Sequence, residues 1–98
     1  MNNNHVRVYV AGPYSSGNMA ANVRNAVAAG HRLLTLGFAP LVPHLTHFFD
    51  LMHEHPYEDW LQMDLAWVTV AEAVLRLPGV SAGADRETAL ALQLGIPV

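Results

Sequence analysis

The sequence predicts an α/β fold in which a small parallel sheet has the strand order 2-1-3-4. Short runs of β-branched and apolar residues alternate along the chain with longer segments whose apolar positions recur at helical spacing. This alternation is typical of parallel strands joined by right-handed helical crossovers. The length of 98 residues corresponds to one domain covering residues 1–98. Because 52% of the residues are apolar and 13% are charged, the composition excludes an intrinsically disordered chain.

The first half of the chain contains two predicted strands and one helix. Residues 6–11 are apolar and β-branched, which indicates the first strand. Residues 18–36 carry apolar side chains at helical spacing, and Gly37 is a suitable residue to end that helix. Residues 38–43 form a short second strand, whose two prolines predict a position at the edge of the sheet.

The second half continues the alternation. Residues 44–55 are polar and aromatic and are predicted to be a loop with room for a short helical turn. The second helix begins near the proline at position 56 and runs to about residue 71. Residues 72–77 form the third strand, residues 84–94 the third helix, and residues 96–98 begin the fourth strand.

The unusual polar residues are concentrated in three loops. In a parallel sheet, ligands bind outside the carboxyl ends of the strands, where the strand order reverses. That rule selects residues 12–18, 43–55 and 78–87, which follow the first three strands. We therefore expect a site for a small molecule in these loops.

Charge and composition restrict the partners. The chain has a net charge of −3 and five arginines but no lysine, so it lacks the basic stripe that binding to polymeric nucleic acid requires. No apolar run approaches the roughly 20 residues of a membrane span. With no export signal recognisable at the N-terminus, the expected location is the cytoplasm. The absence of cysteine excludes thiolate chemistry, and no cofactor is expected.

Two carboxylates are candidates for catalysis. Glu87 is placed in the first turn of the third predicted helix, where the helix dipole favours the ionised form that suits a nucleophile. The alternative is an ordinary surface glutamate. Asp64 shares a helix face with Trp60 and Trp67, and burial beside indoles would raise its pKa and make it a candidate acid. The alternative is a partly exposed aspartate beside the apolar stripe.

Tyr9 and the loop after the first strand are further candidates. Tyr9 lies in the middle of that strand, where it is either a core tyrosine or a hydrogen-bond donor to a carboxylate. The loop at residues 12–18 contains glycine and serine before a helix, an arrangement that can bind phosphate. The alternative is a capped turn without a ligand.

Four of the six histidines lie between His44 and His55, with Asp50 among them. Imidazoles and a carboxylate are suitable metal ligands, so a metal-dependent hydrolase is one hypothesis. The spacing does not match HExxH and does not impose converging geometry, so no metal site is predicted. The favoured interpretation is that these residues form a wall of the pocket, with His44 and His47 contacting the ligand.

Three motifs together resemble those of the nucleoside 2-deoxyribosyltransferase-like superfamily, which includes nucleoside 5′-monophosphate N-glycosidases. The resemblance covers residues 6–98. Its motifs are Val-Tyr-Val-Ala-Gly in the first strand, Asp-Leu-Ala-Trp in a helix, and a glycine-bearing loop that leads to a glutamate. In this chain the three motifs contain Tyr9, Asp64 and Glu87.

The resemblance implies a three-layer, flavodoxin-like sandwich and cleavage or transfer of the N-glycosidic bond of a nucleoside or nucleoside 5′-monophosphate. Glu87 would form a glycosyl-enzyme ester, Tyr9 would orient Glu87, and Asp64 would protonate the departing base or hold the sugar. The expected substrate-binding residues are Gly12, Tyr14, Ser15, His44, His47, Ser81 and Gly83.

Two departures from the family pattern bear on the substrate. Ser81 stands where the transferases carry an aspartate, which makes the chain more similar to the monophosphate glycosidases. The first loop lacks the arginine that those glycosidases can use for phosphate. The alternative function is a non-catalytic nucleotide-binding module on the same fold. Because the helices carry more apolar surface than so small a sheet covers, a homodimer or higher oligomer is expected.

Overall fold

The computed structural model describes residues 4–98. Strands and helices alternate, which confirms the predicted α/β class. In chain order the elements are β1 (Arg7–Ala11), α1 (Met19–Thr35), β2 (Ala39–Leu41), a 3₁₀ turn (Pro43–Thr46), α2 (His47–Met52), α3 (Tyr57–Val68), β3 (Ala73–Arg76) and α4 (Ala82–Gln93).

The sheet is parallel and has the order β2-β1-β3. The central position of β1 is fixed by its register, in which Tyr9 is opposite Leu41 on one side and Val74 on the other. The strand β2 lies at an edge, as the prolines of residues 38–43 predict, because a proline such as Pro40 cannot donate to a second neighbour. This order brings the loops after all three strands to the same end of the sheet.

In the described part of the chain the sheet has three strands, and the predicted fourth strand is not among them. Residues 96–98 do approach β3, because the N–H of Val74 donates to the Pro97 carbonyl over 2.8 Å. Pro97 has no N–H to return a bond, so this contact does not extend into a ladder. The N–H of Ile96 is directed back to Ala91 instead, over 2.8 Å.

The boundaries of the last helix also differ from the prediction. The helix α4 begins at Ala82, two residues before the predicted start at position 84, because the Ser81 hydroxyl accepts the Ala84 N–H over 3.1 Å and caps it. Glu87 is therefore the sixth helical residue and lies in the second turn. The prediction that it lies in the first turn is wrong.

The segment at residues 44–55 is more helical than predicted. It contains most of the 3₁₀ turn and all of α2, which begins at His47. The next helix, α3, ends at Val68 and not near residue 71. Both differences reflect tertiary packing, which overrides the weak local propensity of short segments.

The core is built around β1. Tyr9 and Ala11 pack in one cluster with Val68 of α3, Val74 of β3, and Ala84 and Ala91 of α4. Val8 and Val10 are also buried, and because strand side chains alternate they lie on the other face of the sheet. Burial on both faces is typical of parallel sheets, and it explains why β1 is apolar without alternation.

The helix α1 contacts β1 and β2 and begins at a side-chain cap, where the Asn18 carboxamide oxygen accepts the Ala21 N–H over 2.9 Å. It is the longest helix of the described chain, with 17 residues. Among residues 4–98, no helix has both the length and the apolar character that crossing a membrane requires.

Candidate active site

The loops after β1, β2 and β3 surround a cavity of about 640 Å³, a volume in the range of small-molecule sites. Of the residues predicted to bind or react, all except Tyr9 line this cavity. They are Gly12, Tyr14, Ser15, His44, His47, Asp64, Ser81, Gly83 and Glu87. The structure therefore brings together residues from four segments that are far apart in the sequence.

Glu87 lines the cavity, and Tyr9 supports it from outside the lining. The Tyr9 hydroxyl donates a hydrogen bond to Glu87 Oε2 over 3.0 Å, and the two residues are only 1% and 5% exposed. Burial, followed by the negative charges of Glu87 and Asp64, raises the pKa of Tyr9. Tyr9 thus stays protonated and acts as a permanent donor to the carboxylate above it.

Asp64 reaches the same point from α3. Its carboxyl group interacts with that of Glu87, and its Oδ1 atom is buried without a hydrogen-bond partner in the described chain. Burial raises the pKa of Asp64 to about 6, although the hydrogen bond with Glu87 opposes this shift. The direction agrees with the expectation from the flanking indoles, but only Trp60 lines the cavity and Trp67 is half exposed.

The expectation that Glu87 is held ionised by a helix N-terminus is wrong. Burial and the neighbouring charge of Asp64 raise the pKa of Glu87 to about 7, against the opposing effects of the Tyr9 hydrogen bond and the charge of Arg76. The physical reason is the position of Glu87 in the second turn, where burial outweighs the dipole of the helix.

Two carboxyl groups in contact titrate as a pair, so the apparent pKa values near 6 and 7 belong to both. A pair that holds one proton contains one acid and one anion at the same time. That is the combination required for general acid catalysis beside nucleophilic attack.

The loop after β1 is fixed by its own contacts. The Asn22 carboxamide donates to the carbonyls of Tyr14 and Ser16 over 2.9 and 2.7 Å. The Tyr14 hydroxyl forms a hydrogen bond with Nδ1 of His47, which joins the loop to α2. A Cβ atom on Gly12 would lie 3.0 Å from the Cβ of Leu77, so a small residue is required there.

His44 is a buried wall residue. Its Nε2–H donates to the Pro13 carbonyl over 2.9 Å, whereas its Nδ1 atom has no partner in the described chain. Burial lowers the pKa of His44, although hydrogen bonds with the backbone of Pro13 and Gly12 partly oppose the shift. A neutral imidazole in this orientation presents Nδ1 as an unused acceptor.

The start of α4 contributes Ser81 and Gly83. The Ser81 hydroxyl is occupied as the helix cap, as described above. A Cβ atom on Gly83 would lie 2.8 Å from the Tyr57 hydroxyl, so the glycine allows that tyrosine to lie over the first turn of α4. The absence of a side chain at Gly83 therefore leaves room for the Tyr57 ring in the wall of the cavity.

Sequence reasoning did not assign a substrate-binding role to Asp50, Tyr57 or Trp60, which also line the cavity. Asp50 Oδ1 accepts hydrogen bonds from the His55 N–H and from Trp60 Nε1–H, both over 3.1 Å, and so ties α2 to α3. A usable signal for two of them was helical spacing, since Tyr57, Trp60 and Asp64 share one face of α3.

The histidine segment does not assemble a metal site in the described residues, where no three histidine or acidic side chains come together as ligands. The imidazoles have other partners. His44 is bound to Pro13 and His47 to Tyr14, while Nδ1 of His55 lies 3.1 Å from Oδ2 of Asp59.

Comparison with known proteins identifies a family but no activity. No curated protein and no solved structure matches the chain. A family model described as a domain of unknown function, DUF7768, matches residues 6–98 and so spans all the elements described above. The chain, with its three-stranded sheet and its group of Tyr9, Glu87 and Asp64, belongs to the DUF7768 family.

Proposed function

We propose that this protein cleaves or transfers the N-glycosidic bond of a nucleoside or nucleoside 5′-monophosphate. The observation that carries the proposal is the pair of Asp64 and Glu87 in the wall of a cavity large enough for a nucleoside, with Tyr9 hydrogen-bonded to Glu87 from outside the lining. A buried pair of carboxyl groups with raised pKa values is typical of sites that need both a proton donor and a nucleophile. The sequence resemblance described above supports the same reaction.

The proposed first step starts from the form of the pair in which Asp64 holds the proton and Glu87 is ionised, which is the less populated form because Glu87 has the higher pKa. The Glu87 carboxylate attacks the anomeric carbon of the sugar. The bond between that carbon and the base nitrogen breaks, its electron pair goes to the base, and Asp64 supplies the proton that neutralises the base. The product is an ester between Glu87 and the sugar.

In the second step, water or a second base attacks the same carbon and releases Glu87, while the proton of the attacking group returns to Asp64. Two displacements give retention of configuration. Tyr9 contributes by donating to Glu87 Oε2, which fixes the direction of the carboxylate.

The test is incubation of the protein with a panel of nucleosides and their monophosphates, followed by detection of free base. The Glu87→Gln variant should release no base while it still binds the substrate, because the amide keeps the shape and the contact with Tyr9. The Glu54→Gln variant is the matched control, since Glu54 is exposed and does not line the cavity. Undiminished base release by Glu87→Gln would contradict the assigned nucleophile.

One observation favours a second candidate, a non-catalytic nucleotide-binding module. With its pKa raised to about 7, Glu87 is protonated in a large share of molecules at neutral pH, and a protonated carboxyl group is a poor nucleophile. Nucleoside binding to the wild type without base release at any pH between 5 and 8 would establish this alternative.

We also propose that the protein is a homodimer or higher oligomer. The helix α2 exposes Phe48, Phe49, Leu51 and Met52, each with more than half of its surface accessible. A patch of this kind in a small domain is stabilised by covering it, and a second copy of the same chain does so symmetrically. Light scattering should give at least twice the mass of 10.7 kDa, and Phe48→Ser with Met52→Ser should shift it to the monomer. A monomeric wild type would contradict this proposal.

The finer architecture is a proposal of the same kind. We infer flavodoxin-like layering with a fourth strand beside β3, supported by the buried residues on both faces of β1 and by the bond from Val74 to Pro97. Slow hydrogen exchange at the Val74 amide, comparable with the exchange inside β1, is expected if the edge of β3 is covered in this way.

A further inference from the structure

The charges that line the cavity are unfavourable for an anion. Among residues 4–98, the ionisable groups of its wall are the carboxyl groups of Asp50, Asp64 and Glu87 together with histidines and tyrosines, and no arginine takes part. A phosphate dianion in this cavity would meet carboxylates without a matching guanidinium, which costs free energy.

The two arginines on either side of the start of α4, Arg76 and Arg86, both have other partners. Arg76, at the end of β3, donates to the carbonyls of Leu77 and Gly79 and to Asp85, the latter two over 3.0 and 2.9 Å. It therefore fastens the loop between β3 and α4. Arg86 lies outside the cavity, with Nη1 3.5 Å from Oε2 of Glu58.

The start of α4, the other feature suited to an anion, is also partly covered. The Ser81 hydroxyl already accepts the Ala84 N–H, and the Tyr57 hydroxyl lies where a Cβ atom of Gly83 would be. An anion that approached Gly83 from that side would have to displace the tyrosine.

Two polar atoms of the cavity wall lack a hydrogen-bond partner in the described chain and could accept from a donor on a ligand. Asp64 Oδ1 and His44 Nδ1 are buried without a partner in the described chain, and both residues line the cavity. Both atoms are acceptors when His44 carries its proton on Nε2, as its bond to Pro13 requires. The 5′-hydroxyl of a nucleoside can donate to such an atom after a small rotation of the side chain, whereas the phosphate dianion that replaces it in the monophosphate offers acceptors alone.

We propose that the cavity binds an uncharged N-glycoside, whose hydroxyl groups donate to Asp64 and His44, and discriminates against the 5′-monophosphate of the same nucleoside. This inference rests on the proposed function and narrows its substrate. It also decides between the two substrate classes that the sequence resemblance leaves open.

The first measurement compares kcat/KM for base release from each deoxynucleoside and from its 5′-monophosphate at pH 6.5. The nucleoside should be preferred by on the order of tenfold or more. Equal values, or a preference for the monophosphate, overturn the inference and leave the proposed reaction intact. Release of base from neither compound overturns the proposed reaction, and binding then decides the inference.

Binding is measured by calorimetry on the full chain with the same pairs of compounds. Tighter binding of the nucleoside supports the inference whether or not base is released. Equal binding, tighter binding of the monophosphate, or binding of neither overturns it.

A pair of charge variants tests the electrostatic argument. Asp50→Asn removes one negative charge from the wall and retains an oxygen that can accept from His55 and Trp60. The ratio of kcat/KM for the nucleoside to kcat/KM for its monophosphate should fall by about fivefold. Glu54→Gln removes the same charge outside the cavity and should leave the preference unchanged. If this ratio is unchanged in Asp50→Asn, the carboxylates of the wall do not repel the phosphate, and the inference is overturned.

Discussion

At the scale of single residues, the protonation state of Glu87 decides what the site can do. Glu87 must be ionised to attack a carbon, yet burial beside Asp64 holds its pKa near 7. The hydroxyl of Tyr9 acts in the opposite direction, because it donates to the ionised carboxylate and stabilises it. The pair of carboxyl groups therefore carries a single proton only in a narrow range of pH, between about 6 and about 7.

Base release should follow a bell-shaped dependence on pH with limbs near 6 and 7. Tyr9→Phe should shift the acidic limb to higher pH and lower kcat by about ten- to a hundredfold, since a hydrogen bond to a charged group contributes roughly 1.5–3 kcal/mol. The measurement is the pH dependence of initial rates for wild type and variant.

Tyr57→Phe is the matched control for Tyr9→Phe. It also removes a phenolic hydroxyl at the cavity, but one that lies over Gly83 and does not bond to Glu87. Its acidic limb should coincide with that of the wild type. The same limb in Tyr9→Phe and in the wild type would show that Tyr9 does not act on Glu87.

At the scale of elements, close packing of α1 against Val42, the residue that follows β2, limits the size of the side chains on that face of the helix. Gly30 is buried in the middle of α1, and a Cβ atom there would lie 2.6 Å from Cγ2 of Val42. This glycine weakens the helix by roughly 0.5–1 kcal/mol relative to alanine. The packing requirement thus outweighs helix propensity at this position.

Gly30→Ala should destabilise the protein by about 1–3 kcal/mol, as an overpacked core does, although alanine favours a helix. The measurement is the free energy of unfolding from urea titration. Adding Val42→Ala should recover part of the loss, so the double variant should be more stable than the sum of the two single changes predicts. A stabilised Gly30→Ala variant would mean that α1 and β2 are farther apart than the structure shows.

At the scale of the whole molecule, the buried carboxyl pair makes stability depend on pH. The pKa values of Asp64 and Glu87 rise from 3.8 and 4.5 to about 6 and about 7 on folding. Between these limits the folded state binds more protons than the unfolded state, so stability decreases as pH rises and is lowest above about 7. His44, whose pKa is lowered by burial, acts oppositely and reduces stability at pH values below its ordinary range.

Comparison of wild type with Glu87→Gln isolates the contribution of the pair. The free energy of unfolding of the wild type should fall between pH 5 and pH 8, and the variant should show a fall smaller by about 1–3 kcal/mol. Glu54→Gln, which removes an exposed carboxyl group, should follow the wild type. Parallel curves for wild type and Glu87→Gln would show that Glu87 is not buried in the folded protein.

The α/β class, the edge position of β2 and the loops that carry the polar residues can all be predicted from the amino-acid sequence. These follow from local patterns: the apolar and β-branched run of β1, the prolines near β2, and the helical spacing in α1. Tyr9, Asp64 and Glu87 were also identifiable as candidates, because they combine hydrogen-bonding side chains with apolar or loop surroundings.

Three features follow only from the packed structure: the raised pKa of Glu87, the cap at Ser81 and the three-stranded sheet of residues 4–98. The pKa of Glu87 depends on burial and on Asp64, a residue 23 positions earlier in the chain. Local sequence patterns do not show that two residues so far apart come together. Because Ser81 is the cap, α4 begins at Ala82 and Glu87 lies in its second turn. Pro97 accepts a single bond from β3 and cannot return one, so the ladder stops where the sequence alone predicted a strand.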